Sequence, residues 1–228
     1  MIESLIPSGS SFSGDIDSLF ILITVVVGFW FLATMGMFLW LTIRFRAKEG
    51  VPAQYITGKE PHLKSWITIP HALIILCDVF LIAGAVRVWF NVKQWMPSED
   101  VEPIGVIGQQ WAWTFVHAGP DGVLDTADDV ALIDEMHVQT GKNYAFRLES
   151  KDVLHSFSVP VFRLKQDVVP GRVILGWFQP TLAGEFDIQC AEICGIGHGI
   201  MGARVIVETP EQHKQWMESV SPTGVASL

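Results

Sequence analysis

The sequence predicts a two-helix transmembrane hairpin followed by an all-β domain. Three features carry that expectation: two long apolar stretches in the first 93 residues, a series of short β-type segments beyond them, and acidic charge gathered in the second part. The mean hydropathy is positive, +0.36, yet 24 acidic against 15 basic residues give a net charge of -9. Both hold because the apolar and the acidic residues occupy different parts of the chain.

The first stretch, Leu19 to Ile43, runs for 25 residues without a charge, enough to cross a bilayer with some tilt. The second, Trp66 to Phe90, is interrupted by Pro70, His71, Asp78 and Arg87. It still reads as a span, because Ala72 to Ala85 is apolar apart from Asp78 and Trp66, Trp89 and Phe90 stand where interfacial aromatics belong. Between the spans lie Arg44, Arg46, Lys48, Lys59 and Lys64, whereas the first 17 residues hold no Lys or Arg. The positive-inside rule therefore puts the loop in the cytoplasm, and the N-terminus and everything after Phe90 outside. The expected division is a hairpin over residues 1–93, with spans near 19–43 and 66–90, and an outer domain over residues 94–228.

The outer domain carries 18 acidic and 8 basic residues, a net charge of -10. That sign excludes nucleic acid as a partner and suits electrostatic steering of a basic protein at rates that fall with salt. Segments rich in β-branched and aromatic residues recur at Ile104–Ile107, Trp111–His117, Met136–Gln139, Tyr144–Leu148, Val173–Phe178, Glu185–Cys190 and Ala203–Glu208. Gly and Pro punctuate them, which argues for a sandwich or barrel. Thr209-Pro210-Glu211-Gln212 has the capping-box spacing and opens a final helix. The stretch from Gly119 to Val130 holds Asp121, Asp125, Asp128 and Asp129. These carboxylates either converge on Ca²⁺, a hard cation that takes oxygen ligands, or face water on a hairpin loop.

Cys190 to Met201 reads C-A-E-I-C-G-I-G-H-G-I-M, with Cys190, Cys194, His198 and Met201 inside twelve residues. Two thiolates, an imidazole and a thioether form a soft donor set that selects copper. Zinc has little use for the thioether, and iron–sulfur clusters want more than the three cysteines present. A single blue-copper ion takes one Cys, two His and a weak Met, which would leave one thiolate idle. Two thiolates can instead bridge two coppers. A further nitrogen is then needed, and His155 in D-V-L-H-S-F supplies it, with a hydrogen-bonded structural histidine as the plain alternative. A Cys190–Cys194 disulfide is the competing reading in an oxidising compartment. It leaves His198, Met201 and the surrounding glycines unexplained. Cys77, in the second span, reads as a small apolar residue.

These motifs resemble subunit II of the haem–copper cytochrome c oxidases. The family pattern C-S-E-I-C-G-x-x-H-x-x-M is matched with Ala191 in place of Ser. D-V-L-H-S-F matches the segment that supplies the second histidine, with Phe157 where Trp is common. Leu164 to Arg172 and Q-W-A-W at Gln110 to Trp113 match two further signatures. The resemblance runs from the first span to the final helix.

It implies that the outer domain is a cupredoxin-like Greek-key barrel with a dinuclear CuA centre. By the same resemblance Cys190 and Cys194 bridge the coppers, His155 and His198 are terminal ligands, and Met201 is a weak one. Glu192 lends its backbone carbonyl, and its side chain reaches a Mg²⁺ shared with subunit I. Trp111 matches the place where electrons arrive. The chain is then the electron-input subunit of a terminal oxidase in a bacterial-type inner membrane, with the N-terminus and copper domain on the periplasmic side. It takes electrons from a cytochrome c-type or other haem or copper donor and passes them to the haem of subunit I, where O2 is reduced to water, other oxidase subunits completing the assembly. With no C-x-x-C-H sequence in the chain, the donor haem lies on another protein. A CuA subunit of a nitric oxide reductase and a membrane-anchored copper chaperone are the rival readings. The chain departs from the family pattern at Ala112, which replaces an aromatic, and at Leu63, where many relatives carry a Glu and Glu60 lies one helical turn away.

Overall fold

The computed structural model describes residues 5–53 and 55–220. Contacts divide the chain into two units, residues 17–89 and the remainder. In the first, α1 (Ser13–Arg44) and α2 (Ser65–Trp89) take up the two apolar stretches. Their most apolar windows have mean hydropathies of 2.3 and 2.2, and none of either window is buried inside the protein. A helix apolar on every side and uncovered by protein is at home in lipid, where its backbone bonds are satisfied internally. Gly84 of α2 lies under Leu19 and Leu22 of α1, so that an added Cβ would stand 3.6 and 3.7 Å from their methyls. The α1 helix begins six residues before Leu19. Its first turn is polar, and apolar patterning marks only the part that needs lipid.

A π-helical turn, Phe90–Gln94, leads from α2 to ten strands. These are β1 (Val101–Gln109), β2 (Ala112–His117), β3 (Val130–Ile133), β4 (Glu135–Gln139), β5 (Asn143–Ser150), β6 (His155–Val159), β7 (Leu164–Val168), β8 (Ile174–Phe178), β9 (Gly184–Cys190) and β10 (Gly202–Glu208). They form two five-stranded sheets, ordered β3-β2-β1-β5-β8 and β4-β10-β9-β6-β7. The chain crosses repeatedly between them, which makes the domain a cupredoxin-like Greek-key barrel. Residues of alternating burial line the interior: Trp113 and Phe115 of β2, Tyr144, Phe146 and Leu148 of β5, Val205 and Val207 of β10. Phe157 sits at the centre, its ring 5.7 Å from Trp113, 6.2 Å from Phe115 and 6.1 Å from Phe146. Each such ring stabilises the fold by about 1.5–3 kcal/mol through burial.

Three of the ten strands lie outside the seven segments named above: β6 takes up the strand-like D-V-L-H-S-F stretch, and the other two were not expected. The four residues of β3 follow directly on the aspartate-rich stretch, and β7, Leu-Lys-Gln-Asp-Val, has a polar middle held between β6 and open solvent. The final helix, α3 (Pro210–Val220), starts where expected. Thr209 Oγ1 accepts from the Gln212 amide at 3.3 Å, and Gln212 Oε1 accepts from the Thr209 amide at 3.0 Å.

The N-terminal segment is stitched into the barrel. The Gly9 amide donates to Val161 O at 2.9 Å, the Ser11 amide to Gln179 O at 3.1 Å, and the Thr181 amide to Gly9 O at 2.8 Å. The Arg163 guanidinium donates to Ile6 O and Pro7 O at 2.9 and 3.1 Å.

Strand direction decides what lies at each end. The β1–β2 turn (residues 110–111), the β5–β6 loop (151–154) and the β9–β10 loop (191–201) share one end, because β1 and β5 run parallel while β10 runs back along β9. The opposite end receives His117, the aspartate-rich loop, residues 140–142 and α3.

Candidate metal centre

The β9–β10 loop folds back on itself so that Cys190, at the end of β9, faces Cys194 and His198 within one short excursion. The Cys190 amide donates to Met201 O at 3.1 Å and closes its base. Gly195 has a φ of +125°, which a side chain would strain. His155, fully buried, comes from the first residue of β6, which pairs with β9.

The donor atoms form a chain. Cys190 Sγ lies 3.9 Å from His155 Nδ1 and 3.8 Å from Cys194 Sγ. Cys194 Sγ lies 3.7 Å from His198 Nδ1 and 3.7 Å from Met201 Sδ. The Glu192 carbonyl oxygen is 3.3 Å from Cys190 Sγ. Metal bonds of about 2.3 Å to sulfur and 2.0 Å to imidazole nitrogen allow neighbouring donors to stand up to roughly 4.3 Å apart on one ion, so every pair fits. Among the described residues, His155, Cys190 and Cys194 bring their ligand atoms within 4.8 Å of one another. Both cysteines are free thiols, well beyond the ~2.05 Å of a disulfide.

Burial, with the neighbouring Cys190 thiol, pushes the Cys194 thiol up to about 11. A thiol so placed ionises readily only when a cation supplies the missing stabilisation. Soft sulfur, two imidazoles and a thioether then suit copper.

Several surrounding groups hold this arrangement. Asp152 Oδ1 accepts from His155 Nε2 at 2.8 Å; a carboxylate only accepts, so Nε2 carries the proton and the Nδ1 lone pair faces Cys190. Burial alone would raise the Asp152 pKa, but the hydrogen bonds from His155, Gln110 and Val153 hold its carboxyl below the usual range. Gly108 backs the imidazole, since a Cβ there would be 3.1 Å from His155 Cδ2. Trp111 is 39% exposed, and its Nε1 donates to Cys194 O at 3.3 Å. The Glu192 carboxylate lies 3.6 Å from Lys165 Nζ.

The sequence flagged every donor in this chain and Trp111. It did not flag Asp152 or Gln110, which carry no ligand-type signal of their own.

The four aspartates are engaged otherwise. Asp125 forms a two-bond pair with Arg147 at 2.7 and 2.9 Å. Asp121 accepts from the Val123 amide, Asp128 from Thr126 Oγ1, and Asp129 from the Asp125 amide. Calcium would have to displace a guanidinium and break these turns. Glu60 accepts from the Thr57 amide and hydroxyl at 3.0 and 2.8 Å, bonds that hold its carboxyl down at about 2.

Residues 129–209 match the profile described as cytochrome c oxidase subunit II, periplasmic domain. The chain is similar to an alternative cytochrome c oxidase subunit 2 of Bradyrhizobium diazoefficiens, 33% identical over 227 residues that cover 90% of this chain and 80% of the relative. It is similar to cytochrome c oxidase subunit 2 of Cereibacter sphaeroides at 28% identity, covering 93% and 78%. Among solved structures, the periplasmic domain of subunit II of cytochrome oxidase from Bradyrhizobium japonicum is 28% identical, with a TM-score of 0.48 over 55% of this chain and 96% of that one.

Proposed function

Because the chain belongs to the cytochrome c oxidase subunit II family, we propose that it is the electron-input subunit of a haem–copper terminal oxidase. The observation that carries this reading is the continuous run of donors, His155–Cys190–Cys194–His198 with Met201 alongside, at 3.7–3.9 Å steps. Cys190, Cys194, His155 and His198 would hold two coppers, with the Glu192 carbonyl and Met201 as the weaker donors. Copper held by these residues would supply one-electron uptake and release. The protein's part is to keep the donors still. His155 is fully buried and tied to Asp152, and Cys194 and Met201 are buried as well, so few water dipoles must turn when the charge changes.

Electrons arrive at the exposed Trp111 ring, which one hydrogen bond joins to the residue carrying a bridging thiolate. A c-type cytochrome with its haem edge at the surface is the donor this reading assigns. The haem of subunit I is the acceptor, and O2 reduction takes place there. The Glu192 side chain, whose backbone carbonyl lies 3.3 Å from Cys190 Sγ, is the group that would meet a Mg²⁺ held jointly with subunit I. The barrel and N-terminus lie on the periplasmic side, the basic loop between the helices in the cytoplasm.

The test is electron paramagnetic resonance on the full-length chain loaded with copper in detergent micelles. The expected spectrum shows one unpaired electron shared equally by two copper nuclei, and Cys194→Ser abolishes that pattern. A spectrum from a single copper nucleus, or no copper bound, overturns the reading and brings the chaperone alternative forward.

A further inference from the structure

Gln110 donates no metal ligand, yet it touches both halves of the site. Its backbone N–H donates to Asp152 Oδ2 at 2.7 Å, and Asp152 Oδ1 is the acceptor for ligand His155. Its side-chain Nε2 donates to Cys194 O at 2.7 Å, the same carbonyl that takes the Trp111 indole N–H at 3.3 Å. One residue therefore links the β5–β6 loop to the β9–β10 loop, and the next residue is the exposed tryptophan. A carbonyl oxygen has two lone pairs, and here two consecutive side chains occupy them. The glutamine bond is the shorter, and Trp111 makes no other hydrogen bond among the described residues.

The loop backbone is shaped to receive this pair. A Cβ on Gly195 would lie 2.9 Å from Gln110 Nε2 and 3.1 Å from Trp111 Cζ2, and one on Gly197 would lie 2.4 Å from Trp111 Cδ2. The indole rests on bare backbone, with the amide of Gln110 beside it.

We propose that Gln110 is a positioning residue for electron input: its side-chain amide, anchored on the Cys194 carbonyl, fixes the Trp111 indole against the ligand loop, while its backbone N–H ties the same turn to the Asp152–His155 pair. This rests on the reading that electrons arrive at Trp111. The two attachments are separable. Truncating the side chain removes only the Cys194 anchor, because the bond to Asp152 comes from the backbone. His155 then keeps its orientation and the copper centre keeps its electronic structure, while the indole loses its fixed place. Displacements of about 1 Å at a reacting pair cost up to roughly a hundredfold in rate.

The experiment uses the full-length, copper-loaded chain and three variants, Gln110→Ala, Gln110→Glu and Trp111→Ala. Glutamate keeps the shape of glutamine but faces the Cys194 carbonyl with an acceptor. Reduction is followed by stopped flow with reduced mitochondrial cytochrome c, and separately with hexaammineruthenium(II), a small reductant that needs no docking surface.

For Gln110→Ala, the expected outcome is an unchanged copper resonance spectrum, a rate with cytochrome c lowered by about tenfold, and a rate with the ruthenium complex within about twofold of the parent. Gln110→Glu is expected to be slower still with cytochrome c. An unchanged cytochrome c rate in both variants overturns the assignment. So does an altered copper spectrum or failed copper loading, either of which would make Gln110 a support of the ligands themselves. A parent chain without the two-copper spectrum, or one that cytochrome c reduces no faster than Trp111→Ala, removes the electron-input reading and this assignment with it.

Discussion

Gly197 and Gly199 stand two residues apart in the ligand loop and face opposite demands. A Cβ on Gly197 would meet the Trp111 ring at 2.4 Å, whereas nothing lies within 4 Å of one on Gly199. Neither has a positive φ among the glycines that do, so alanine is sterically acceptable to the backbone at both. Gly197→Ala should cost about 1–3 kcal/mol as overpacking and slow reduction of the copper-loaded chain by cytochrome c. Gly199→Ala should stay within about 0.5 kcal/mol and leave the rate alone. Melting curves and stopped-flow traces on the two variants check this, and equal effects would contradict the indole's place on the loop. At this scale the sequence was most legible where chemistry is rare: two Cys, a His and a Met within twelve residues have few other uses. Gln110 and Asp152 were not legible, because glutamine and aspartate are common in loops and their partnership spans 42 positions. Nothing local marks a carboxylate that meets a histidine ring on one oxygen and a distant amide on the other.

Among the elements, α3 carries a second histidine cluster at the end of the barrel remote from the thiols. Trp216 of α3 stacks on His137 of β4 with centroids 4.2 Å apart, and lies 5.0 Å from His117 of β2. Glu208 lies 3.0 Å from His137 Nδ1 and 2.8 Å from His213 Nδ1, and Glu135 lies 2.7 Å from His137 Nε2. Among the described residues, no carboxylate pairs with His117. Burial, and then the nearness of His137 and His213, lowers it to about 3. Between that value and the ~6.5 of an unfolded histidine, the unfolded chain binds a proton that the folded one refuses. Stability therefore falls as pH drops through this window, by up to about 1.4 kcal/mol per unit from this group. His117→Gln should flatten the decline of melting temperature between pH 7 and pH 5, and an unchanged decline would show that other groups set it. The elements themselves were read unevenly. The α3 cap follows from side chains three apart in sequence, and long alternating strands such as β5 announce themselves. The β3 strand is four residues beside an aspartate-rich loop, and β7 has a charged, half-exposed middle. Pairing with β2 and with β6 makes them strands, and that is tertiary information.

Over the whole molecule, the net charge of -10 on the outer domain suggested an acidic docking face, and the strand directions qualify this. The aspartate-rich loop, Glu102, Glu208, Glu211 and Glu218 attach at the end opposite the thiols. At the copper end, Glu192 is the one charged residue between Cys190 and Met201 and faces Lys165, while Ile193, Ile196 and Ile200 are 78, 100 and 84% exposed. The nine residues of β1 reach about 30 Å, three times the ~10 Å screening length at 0.1 M salt. Removing far-end charge with Glu211→Gln and Glu218→Gln should therefore leave cytochrome c reduction within about twofold at that ionic strength. A tenfold loss would restore the acidic-face account. The stitched N-terminal segment has a consequence for biogenesis. Residues 6–13 leave the barrel into α1, and the chain comes back to it after α2, so the segments on either side of the helical pair belong to one domain. Both helices are long and apolar enough to cross a membrane, and the segment before α1 has to share a side with the barrel to make these bonds. Until that segment arrives, the seam along Val161 and Gln179 stands open, and the domain waits for the strand of chain that precedes α1.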